Sequence, residues 1–460
     1  MIELPDLHRA AREIFAEALR RVDAHEAVRR AIRLDGSRLF RVVDTTFDLS
    51  AHGGNRVYVI AAGKAAINMA DGLNAVLGDH LSAGVITCAS GATERAFDER
   101  WQLFAGGHPL PNEESLRAAR ASFELLSRAD AERALVIFLI SGGGSAMIEW
   151  PRNEQTTLDE LRAANQTLIS CGASIREINA VRRAFSAVKG GQLAARAPHA
   201  VQLTLIVSDT GAGNEGAVAS GPTLSLLSPD EPDARSVVAR YRLATRLPAS
   251  ILRAIDQPLA VEAETPPGAL RKHFVLLDNG DAIAAAASAA RLRGFTVEVA
   301  RDLIEQPVDE GSAELLSRLR DLRRRAGGAG ESAHRAVACL ISGGEFACPV
   351  RGNGTGGRNA ETALRCAIEM DARSRPHGGD SPPSHTVALS AGTDGIDGNS
   401  PAAGALADET TLQRARSLGL DAQAFLDRSD AHALFDTLND VIVTGPTGTN
   451  VRDLRIMLAS

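Results

Sequence analysis

Nearly continuous apolar runs alternate with amphipathic stretches along the first half of the chain. Val57–Ala62, Leu135–Ile140 and Leu203–Val207 are runs of this kind. Between them, Ala65–Leu77 and Glu113–Ser127 have the apolar spacing of helices. Apolar strands separated by helices are typical of a parallel sheet that is covered on both faces. The first half is therefore predicted to form α/β layers around a parallel sheet.

A polar stretch with several prolines, residues 257–270, separates this half from a second one. Its Pro266-Pro-Gly268 sequence is typical of a linker. A chain of 460 residues exceeds what one ordinary core requires, so two domains are expected. The predicted domains are residues 1–265 and residues 266–460.

The second half is predicted to be a smaller α/β domain with a mixed sheet. His273–Leu277, Thr296–Ala300 and Ala336–Ile341 have the pattern of strands. Phe346–Val350 is predicted to return beside Ala336–Ile341 as its hairpin partner. An antiparallel pair of this kind is what would make the sheet mixed.

A short sequence occurs once in each half. Leu139-Ile-Ser-Gly-Gly143 recurs as Leu340-Ile-Ser-Gly-Gly344, and each copy ends a predicted strand in a turn. Ligands bind at the carboxyl ends of strands in open α/β sheets. We therefore expect the two turns to face each other across a cleft.

Composition narrows the class of protein. Apolar residues make up 44% of the chain and aromatic residues 4%, so the core must consist of Ala, Val, Leu and Ile. The net charge of −7 argues against a nucleic-acid-binding protein, which would usually carry a basic patch. The five cysteines form no CxxC pair, which favours reduced thiols in the cytoplasm over zinc ligands or disulfides. No apolar run is long enough to span a membrane.

Lysine is scarce, since only three of the 50 basic residues are lysines. Where arginine fills nearly every surface role, a retained lysine is a candidate for a role that needs a compact ammonium group. Lys64 and Lys189 both lie beside glycines and are such candidates. Lys272 lies in a polar stretch, and chance retention explains it.

Two glycine-rich segments are candidate phosphate-binding loops. The residues Ser141, Gly142, Gly143, Gly144 and Ser145 follow a buried strand, and consecutive backbone N–H groups at such a turn can bind an anion. The alternative is a simple tight turn. The phosphate interpretation is preferred for this segment.

Residues 352–357 match GxGxxG, but the strand and acidic residue of a dinucleotide site are not at the required positions. We interpret this segment as a mobile anion-binding loop in which Gly354, Gly356 and Gly357 expose their N–H groups. Arg358 follows it and would point into the bound anion. This interpretation does not require a nicotinamide cofactor.

Acidic residues at strand ends suggest a metal. Asp209 follows a predicted strand and precedes glycines, and Asp394 lies in the Asp/Gly-rich segment 390–398. Mg²⁺ prefers one or two carboxylates together with phosphate oxygens and water. Asp-Gly pairs also make ordinary turns, and for Asp397 the two interpretations are equally favoured.

These segments together resemble the glycerate 2-kinase family, whose second half is called the MOFRL domain. The matching segments run along nearly the whole chain in one order. They are Ala61-Ala-Gly-Lys-Ala-Ala66, Gly107-His-Pro-Leu-Pro-Asn112, Leu139–Ser145, Glu177–Arg182, Ala187–Leu193, Ser208-Asp209, Ala219-Ser-Gly-Pro-Thr223, Asp278-Asn279, Ile341–Glu345, Gly354–Asn359, Ala391-Gly-Thr-Asp-Gly395 and Thr444–Asn450.

The resemblance implies a Rossmann-like parallel α/β/α sandwich followed by a MOFRL-type domain. It implies a kinase that uses ATP and a divalent metal, Mg²⁺, to phosphorylate the 2-hydroxyl of D-glycerate. Lys64 and Arg358 match the family residues that are usually placed at the reacting phosphate. Asp209 is expected to bind metal or to orient the attacking hydroxyl, although the segment after it, Thr210–Glu215, departs from the family pattern.

Substrate contacts are expected from Arg182, Lys189 and Glu345. For Arg182 and Lys189, a role on a helix surface is an equal alternative. An NAD(P)-dependent hydroxypyruvate reductase and a non-catalytic ligand-binding protein on the same fold are the rival functions. The missing N-terminal dinucleotide fingerprint argues against the reductase. Assembly into a homo-oligomer is left open.

Overall fold

The structure, a computed structural model, describes residues 3–35, 39–48, 56–89, 97–211, 213–224, 231–257, 270–326, 337–374 and 385–460. The chain divides into two compact units. One unit is Ala24–Leu277, and the other combines Met1–Asp23 with Asp278–Ser460. They are called the first and second unit below. Most of the predicted linker lies outside the described residues.

The strands of the described residues are β1 (Ile32–Asp35), β2 (Leu39–Val42), β3 (Thr45–Asp48), β4 (Val57–Ala62), β5 (Leu81–Ala89), β6 (Trp101–Gly106), β7 (Leu135–Ser141), β8 (Val201–Val207), β9 (Arg271–Leu277), β10 (Thr296–Ala300), β11 (Ala338–Gly344), β12 (Thr386–Gly392), β13 (Gly404–Asp408), β14 (Val441–Ile442) and β15 (Asp453–Ala459).

The α-helices of the same residues are α1 (Leu4–Arg21), α2 (Ala24–Ala31), α3 (Ala66–Leu77), α4 (Glu113–Ala131), α5 (Gly144–Met147), α6 (Leu158–Ile169), α7 (Ile175–Phe185), α8 (Ala234–Arg240), α9 (Ala249–Asp256), α10 (Asn279–Leu292), α11 (Val308–Ala326), α12 (Arg358–Ser374), α13 (Thr411–Ser417), α14 (Ala422–Asp427) and α15 (Ala431–Thr437). Among the described residues, none of the helices combines the length and the apolar character that crossing a membrane requires.

The first unit contains a six-stranded sheet with the order β6-β5-β4-β7-β8-β9. Every neighbouring pair in it is parallel. The chain builds outward from β4 through β5 to β6 and then returns to the other side of β4 with β7. This is the strand order of the Rossmann fold, and the predicted parallel sandwich is confirmed. The reversal between β4 and β7 is where sheets of this kind bind ligands.

Two parts of the first unit differ from the expectation. His273–Leu277 was counted with the second domain, but β9 pairs with β8 and completes the first sheet. A separate antiparallel sheet of β1, β2 and β3 precedes β4. Its four-residue strands are too short to give a periodic signal in the sequence.

The second unit contains a mixed sheet with the order β10-β11-β15-β12-β13-β14. Only β10 and β11 are parallel, and the other pairs are antiparallel. The mixed sheet is confirmed, but the predicted hairpin of Phe346–Val350 is wrong. The place beside β11 is taken by β15, the C-terminal strand, while Ala347 makes only an isolated bridge to Pro307.

The N-terminal helix belongs to the second unit for a packing reason. The apolar face of α1, which includes Leu7 and Ile14, is fully buried against the alanine-rich helix α10. Buried alanines such as Ala286 and Ala290 let the two helices approach closely. This helix completes a core of small aliphatic residues, which is the kind of core that the composition predicts.

Candidate active site

Three predicted functional segments lie at one edge of the first sheet. Gly63-Lys64 follows β4, residues 142–145 follow β7, and Ser208-Asp209 follows β8. These three strands are neighbours and parallel, so the segments emerge side by side at the carboxyl edge. The edge includes the point at which the strand order reverses, and it is the candidate site of this unit.

Gly63 and Ser141 lock the first two segments together. Gly63 has a φ of 120°, and a Cβ atom there would lie 2.3 Å from Ser141 Oγ, so only glycine fits. Ser141 is fully buried, and its Oγ accepts a hydrogen bond from Ala65 N at 3.0 Å. Its hydroxyl therefore supports the turn from within the protein and does not offer itself to a ligand.

Lys64 lies on the glycine turn that follows β7. Its backbone N donates to Gly142 O at 2.9 Å, and its side chain runs over Gly143. A Cβ atom at Gly143 would lie 3.2 Å from Lys64 Cγ, and the φ of 82° at Gly143 also favours glycine. The turn is thus shaped to let the half-buried lysine cross it.

Ser145 is the first of three polar side chains that are linked by hydrogen bonds, and this series is called the polar chain below. Ser145 Oγ lies 2.9 Å from Ser220 Oγ, and Ser220 donates to Asn179 Oδ1 at 2.9 Å. Ser220 and Asn179 are buried, while Ser145 is half-buried. Neither Ser220 nor Asn179 has a role predicted from the sequence, although both lie in segments that carry the family resemblance.

Asp209 is half-buried at the end of β8, beside a loop that is closed by its own hydrogen bonds. Ser208 Oγ lies 3.0 Å from Thr210 Oγ1, which donates to Asn214 O at 3.0 Å. No group of three or more His, Cys, Asp or Glu side chains suited to a metal occurs among the described residues. A Mg²⁺ ion here would therefore depend on one carboxylate and on phosphate oxygens, which is within its usual chemistry.

Lys189 has a different environment from the predicted one. Lys189 and Glu149 form an ion pair in which both side chains are 1% exposed, and Ser186 Oγ donates to Glu149 at 2.6 Å. Burial lowers the pKa of Lys189, while the Glu149 carboxylate opposes that shift. The interpretation of Lys189 as a helix-surface residue is wrong, because its ammonium group neutralises a buried carboxylate.

Arg182 is the half-buried cation near this pair, at the C-terminal end of α7. Its Nε is buried and has no hydrogen-bond partner among the described residues. Burial lowers the pKa of Arg182, and the charge of Glu149 partly offsets that effect. An incompletely bonded guanidinium can still bind a carboxylate, so Arg182 is better placed than Lys189 for the predicted substrate contact.

In the second unit, Arg358 is held between two carboxylates. Its Nε donates to Asp453 Oδ2 at 2.5 Å and its Nη2 to Asp453 Oδ1 at 3.0 Å, while Glu345 Oε1 lies 2.8 Å from Nη2. Asp453 is 1% exposed, whereas Arg358 and Glu345 are each 35% exposed. Burial acts to raise the pKa of Asp453, but the guanidinium outweighs burial and leaves that pKa below its usual value.

Asp397 fixes the helix that begins at Arg358. Its Oδ1 accepts from Asn359 N at 2.9 Å, and its Oδ2 accepts from Ala360 N at 2.8 Å. The carboxylate is 1% exposed, and burial raises the pKa of Asp397 to about 6 against these hydrogen bonds. It therefore caps the first turn of α12 from a distant part of the chain, in agreement with a structural role and not with the metal alternative.

Three backbone amides of the glycine loop at 352–357 already donate to other parts of the protein. Gly354 N donates to Arg428 O at 2.9 Å, Thr355 N to Asp430 Oδ1 at 2.8 Å, and Gly356 N to Asn399 Oδ1 at 2.8 Å. In this arrangement the N–H groups of Gly354 and Gly356 are already used, contrary to the expected anion cradle. Gly357 is needed for packing, because a Cβ atom there would lie 2.4 Å from Asp397 Oδ1.

The second Ser-Gly-Gly turn is also committed to internal contacts. Arg455, 1% exposed, donates to Ser342 Oγ at 2.9 Å and to Gly343 O, and its guanidinium lies 3.6 Å from the centre of the Phe346 ring. Asn279 Oδ1 accepts from Gly344 N at 2.8 Å. Although its sequence repeats the first turn, this one is filled by a buried cation and an amide.

Asp394 adopts a turn conformation after β12. Its Oδ1 accepts from Ile396 N at 3.1 Å, and Thr447 N donates to its backbone O at 3.2 Å. Asp394 is half-buried, and this arrangement is consistent with the turn alternative. The second unit also has a cavity of about 630 Å³, whose lining includes Val350, Arg358 and Gly398. This volume is large enough for a small ligand.

Comparison with known proteins defines the family. Residues 10–256 match the family described as "Domain of unknown function (DUF4147)", and residues 338–453 match the MOFRL family. The D-glycerate 2-kinase of Thermotoga maritima is 34% identical over 88% of this chain and 91% of its own length. The chain belongs to the glycerate 2-kinase family.

The fold of this family member agrees with a solved relative. The crystal structure of glycerate kinase from Thermotoga maritima matches with a TM-score of 0.78 and 31% identity, covering 99% of this chain and 100% of that one. A protein of Agrobacterium vitis called a putative hydroxypyruvate reductase is 35% identical over 88% of this chain and 99% of its own length. The rival function of the sequence analysis thus has a named counterpart among the relatives.

Several residues of this glycerate 2-kinase family member that shape the site gave no signal of their own. Asp453 begins a buried strand that was not predicted, and Glu149 follows the glycine turn without a recognisable motif. Ser220 could have been found, because the Ala219–Thr223 segment is one of those that carry the resemblance. A buried carboxylate of this kind can be recognised only once the position of the cation that it neutralises is known.

Proposed function

We propose that this chain transfers the γ-phosphate of ATP to the 2-hydroxyl of D-glycerate and so produces 2-phosphoglycerate. The observation that carries the proposal is the position of Lys64. It lies at the reversal of strand order, crosses a glycine turn, and is one of only three lysines in the chain. The kinase names of full-length relatives support the same reaction.

Phosphoryl transfer requires mainly positioning and stabilisation of charge on the transferred group. Lys64 is proposed to contact the γ-phosphate with its ammonium group, while the turn at Gly142, Gly143 and Gly144 allows the phosphate chain to approach the backbone. A compact, rotatable ammonium can follow the phosphate oxygens as their charge changes.

Arg358 is proposed as the second cationic group of the reaction. Asp453 holds Nε and Nη2 in a fixed plane, and Nη1 makes no hydrogen bond to the described residues. A guanidinium oriented in this way presents one edge to an anion without reorganisation, which is the condition for effective electrostatic stabilisation. The exposed fraction of 35% leaves that edge accessible.

The remaining assignments are also proposals. Asp209 or Asp394 would hold a Mg²⁺ ion, which supplies neutralisation of phosphate charge when it is bound. Arg182 would bind the substrate carboxylate, and the charge of Glu149 in the buried Lys189–Glu149 pair favours its charged form. Glu345 would orient Arg358 and the substrate. A cytoplasmic location stays a prediction.

The rival functions receive less support. The first βα turn reads Gly63-Lys64-Ala65, which lacks the glycine fingerprint of a dinucleotide-binding site. A non-catalytic binding protein would be favoured if Lys64 packed into the core away from the glycine turn, but its side chain lies on Gly143.

To test the proposal, the protein is incubated with ATP, Mg²⁺ and D-glycerate, and the phosphorylated product is identified by phosphorus NMR. A parallel sample with NADH and hydroxypyruvate, followed by NADH absorbance, tests the reductase. We expect 2-phosphoglycerate in the first sample and constant absorbance in the second.

A further inference from the structure

The polar chain from Ser145 through Ser220 to Asn179 has a defined direction. Ser220 uses its only hydrogen to donate to Asn179 Oδ1 at 2.9 Å. Ser145 must therefore donate its own hydrogen to Ser220 Oγ, across 2.9 Å. Among the described residues Ser145 Oγ has no other hydrogen-bond partner, so it presents lone pairs and no hydrogen to its surroundings.

This direction decides what Ser145 can recognise. A phosphate oxygen needs a hydrogen-bond donor, and Ser145 has already used its hydrogen. A ligand hydroxyl can donate to it. The predicted role of Ser145 as a phosphate-binding residue is therefore disfavoured, and a role as acceptor for a ligand hydroxyl is favoured.

The same chain is unsuited to removing a proton. It ends at an amide oxygen of Asn179, and an amide cannot take up a proton at neutral pH as a carboxylate or imidazole can. Asn179 is 4% exposed, so water does not replace it. A hydroxyl that donates to Ser145 accordingly keeps its proton, which the hydroxyl that attacks ATP must lose.

Backbone geometry holds Ser220 in place. Ala219, Ser220 and Gly221 have φ values of 51°, 63° and 64°, which is a sparsely populated conformation for the two residues that are not glycine. Gly190 N donates to Ser220 O at 3.1 Å and Gly191 N to Gly221 O at 2.8 Å. Strain of this kind persists only where the surroundings impose it, and it clusters at functional sites.

Ser145 also lies close to the proposed reacting group in the sequence and the fold. It is in α5, which directly follows the turn that Lys64 crosses. Gly144 packs closely against Ala219, because a Cβ atom built on Gly144 would lie 2.9 Å from Ala219 Cβ. The polar chain and the lysine turn therefore share one wall of the site in the first unit.

We propose that Ser145 Oγ accepts a hydrogen bond from the 3-hydroxyl of glycerate, the one that does not react, and so selects glycerate over 2-hydroxy acids without a second hydroxyl. The inference rests on the proposed kinase function. A site built to pair a substrate hydroxyl rejects an analogue that lacks it, because the polar group is then left without its partner.

The test compares D-glycerate with D-lactate, which lacks the 3-hydroxyl, as phosphate acceptors. The wild-type protein should prefer D-glycerate, and Ser145→Ala should lower kcat/KM for D-glycerate by on the order of tenfold to a hundredfold. The value for D-lactate should change little, so the preference shrinks. Ser220→Ala should weaken the preference too, because it releases the hydrogen of Ser145.

A double variant adds a sharper criterion. Ser145→Ala combined with Ser220→Ala should behave like Ser145→Ala alone, since Ser220 acts only through Ser145. Ser122→Ala is the matched control, because Ser122 is fully buried in α4 and its Oγ has no partner among the described residues. It should leave both kcat/KM values unchanged.

The outcomes separate this inference from the function on which it rests. Absence of phosphoryl transfer to D-glycerate by the wild type would contradict the kinase. Transfer with an undiminished preference for D-glycerate in both Ser145→Ala and Ser220→Ala, or equal wild-type use of D-lactate, would overturn the role of Ser145. If Ser145→Ala does not fold, Ser220→Ala alone decides, because it leaves the Ser145 side chain intact.

Discussion

Arg358 and Asp453 are joined by two hydrogen bonds, from Nε to Oδ2 at 2.5 Å and from Nη2 to Oδ1 at 3.0 Å. The carboxylate is almost completely buried, whereas about a third of the arginine side chain is exposed. One partner is thus buried within the protein, and the other is partly accessible from solvent. The pair connects the stability of the second unit to the orientation of a proposed phosphate-binding residue.

Replacing the buried partner should destabilise the protein. Asp453→Asn removes the buried counter-charge of Arg358 and of the neighbouring buried Arg455, and breaking a buried pair from one side costs about 3–5 kcal/mol. The partial exposure of Arg358 places the expected loss near the lower end of that range. Urea unfolding of the wild type and the variant measures it.

Glu345→Gln is the matched control for this prediction, because Glu345 pairs with the same guanidinium from a half-buried position. A loss of at most about 1 kcal/mol is expected for such a pair. Equal losses in the two variants would show that burial of Asp453 is not what makes the pair important.

Asp397 should make the stability depend on pH in an unusual direction. Burial raises its pKa from 3.8 to about 6, so the folded state binds this proton more tightly than the unfolded state. The resulting stabilisation is complete below pH 3.8 and is lost as the pH rises through about 6, by roughly 3 kcal/mol.

The measurement is urea unfolding of the wild type and Asp397→Asn at several values between pH 4 and pH 7. The neutral amide cannot titrate. As the pH rises from 4 to 7, the unfolding free energy of the wild type should therefore fall relative to that of Asp397→Asn. A difference that is constant with pH would mean that Asp397 titrates normally in the folded state.

The sequence predicts the first sheet well because its signals are local. Val57–Ala62 is a strand at the predicted bounds. The helices that begin at Leu158 and Ile175 start at capping boxes, at Thr157 and Ser174, which are also local sequence signals. The position of β9 was not predictable in this way, because its pattern is that of a strand in either sheet. Only its pairing with β8 decides where it belongs.

The candidate site shows the same limit. Lys64 could be found from its scarcity and its glycine neighbours, which are properties of the sequence. That Lys189 is neutralised by Glu149, 40 residues away, depends on burial and on tertiary contact. The amides of Gly354 and Gly356 are likewise satisfied by Arg428 and Asn399, which no local pattern connects to the glycine loop.

Lys64 should act mainly in the transition state. Removing one electrostatic stabiliser of that kind typically lowers kcat by about 10²–10³. Lys64→Ala should therefore lower kcat far more than it raises KM for glycerate. Lys64→Arg should also be poor, because the larger planar guanidinium does not fit the turn over Gly143.

Lys272→Arg is the control, since Lys272 is exposed and the same exchange there should leave kcat unchanged. Steady-state kinetics of the three variants, with folding checked by circular dichroism, gives the comparison. If a folded Lys64→Arg protein keeps the wild-type kcat, Lys64 does not bind the reacting phosphate in the proposed way.

Phosphorus NMR of the reaction of ATP, Mg²⁺ and D-glycerate tests the central claim most directly, because the position of the phosphate identifies both the reaction and the hydroxyl that attacks. We expect the resonance of 2-phosphoglycerate to grow as ATP is consumed, to be absent when excess EDTA is present from the start, and to appear once Mg²⁺ is added in excess over EDTA. A 3-phosphoglycerate resonance would contradict the assignment of the reacting hydroxyl, and unchanged ATP in the presence of Mg²⁺ would contradict the kinase itself.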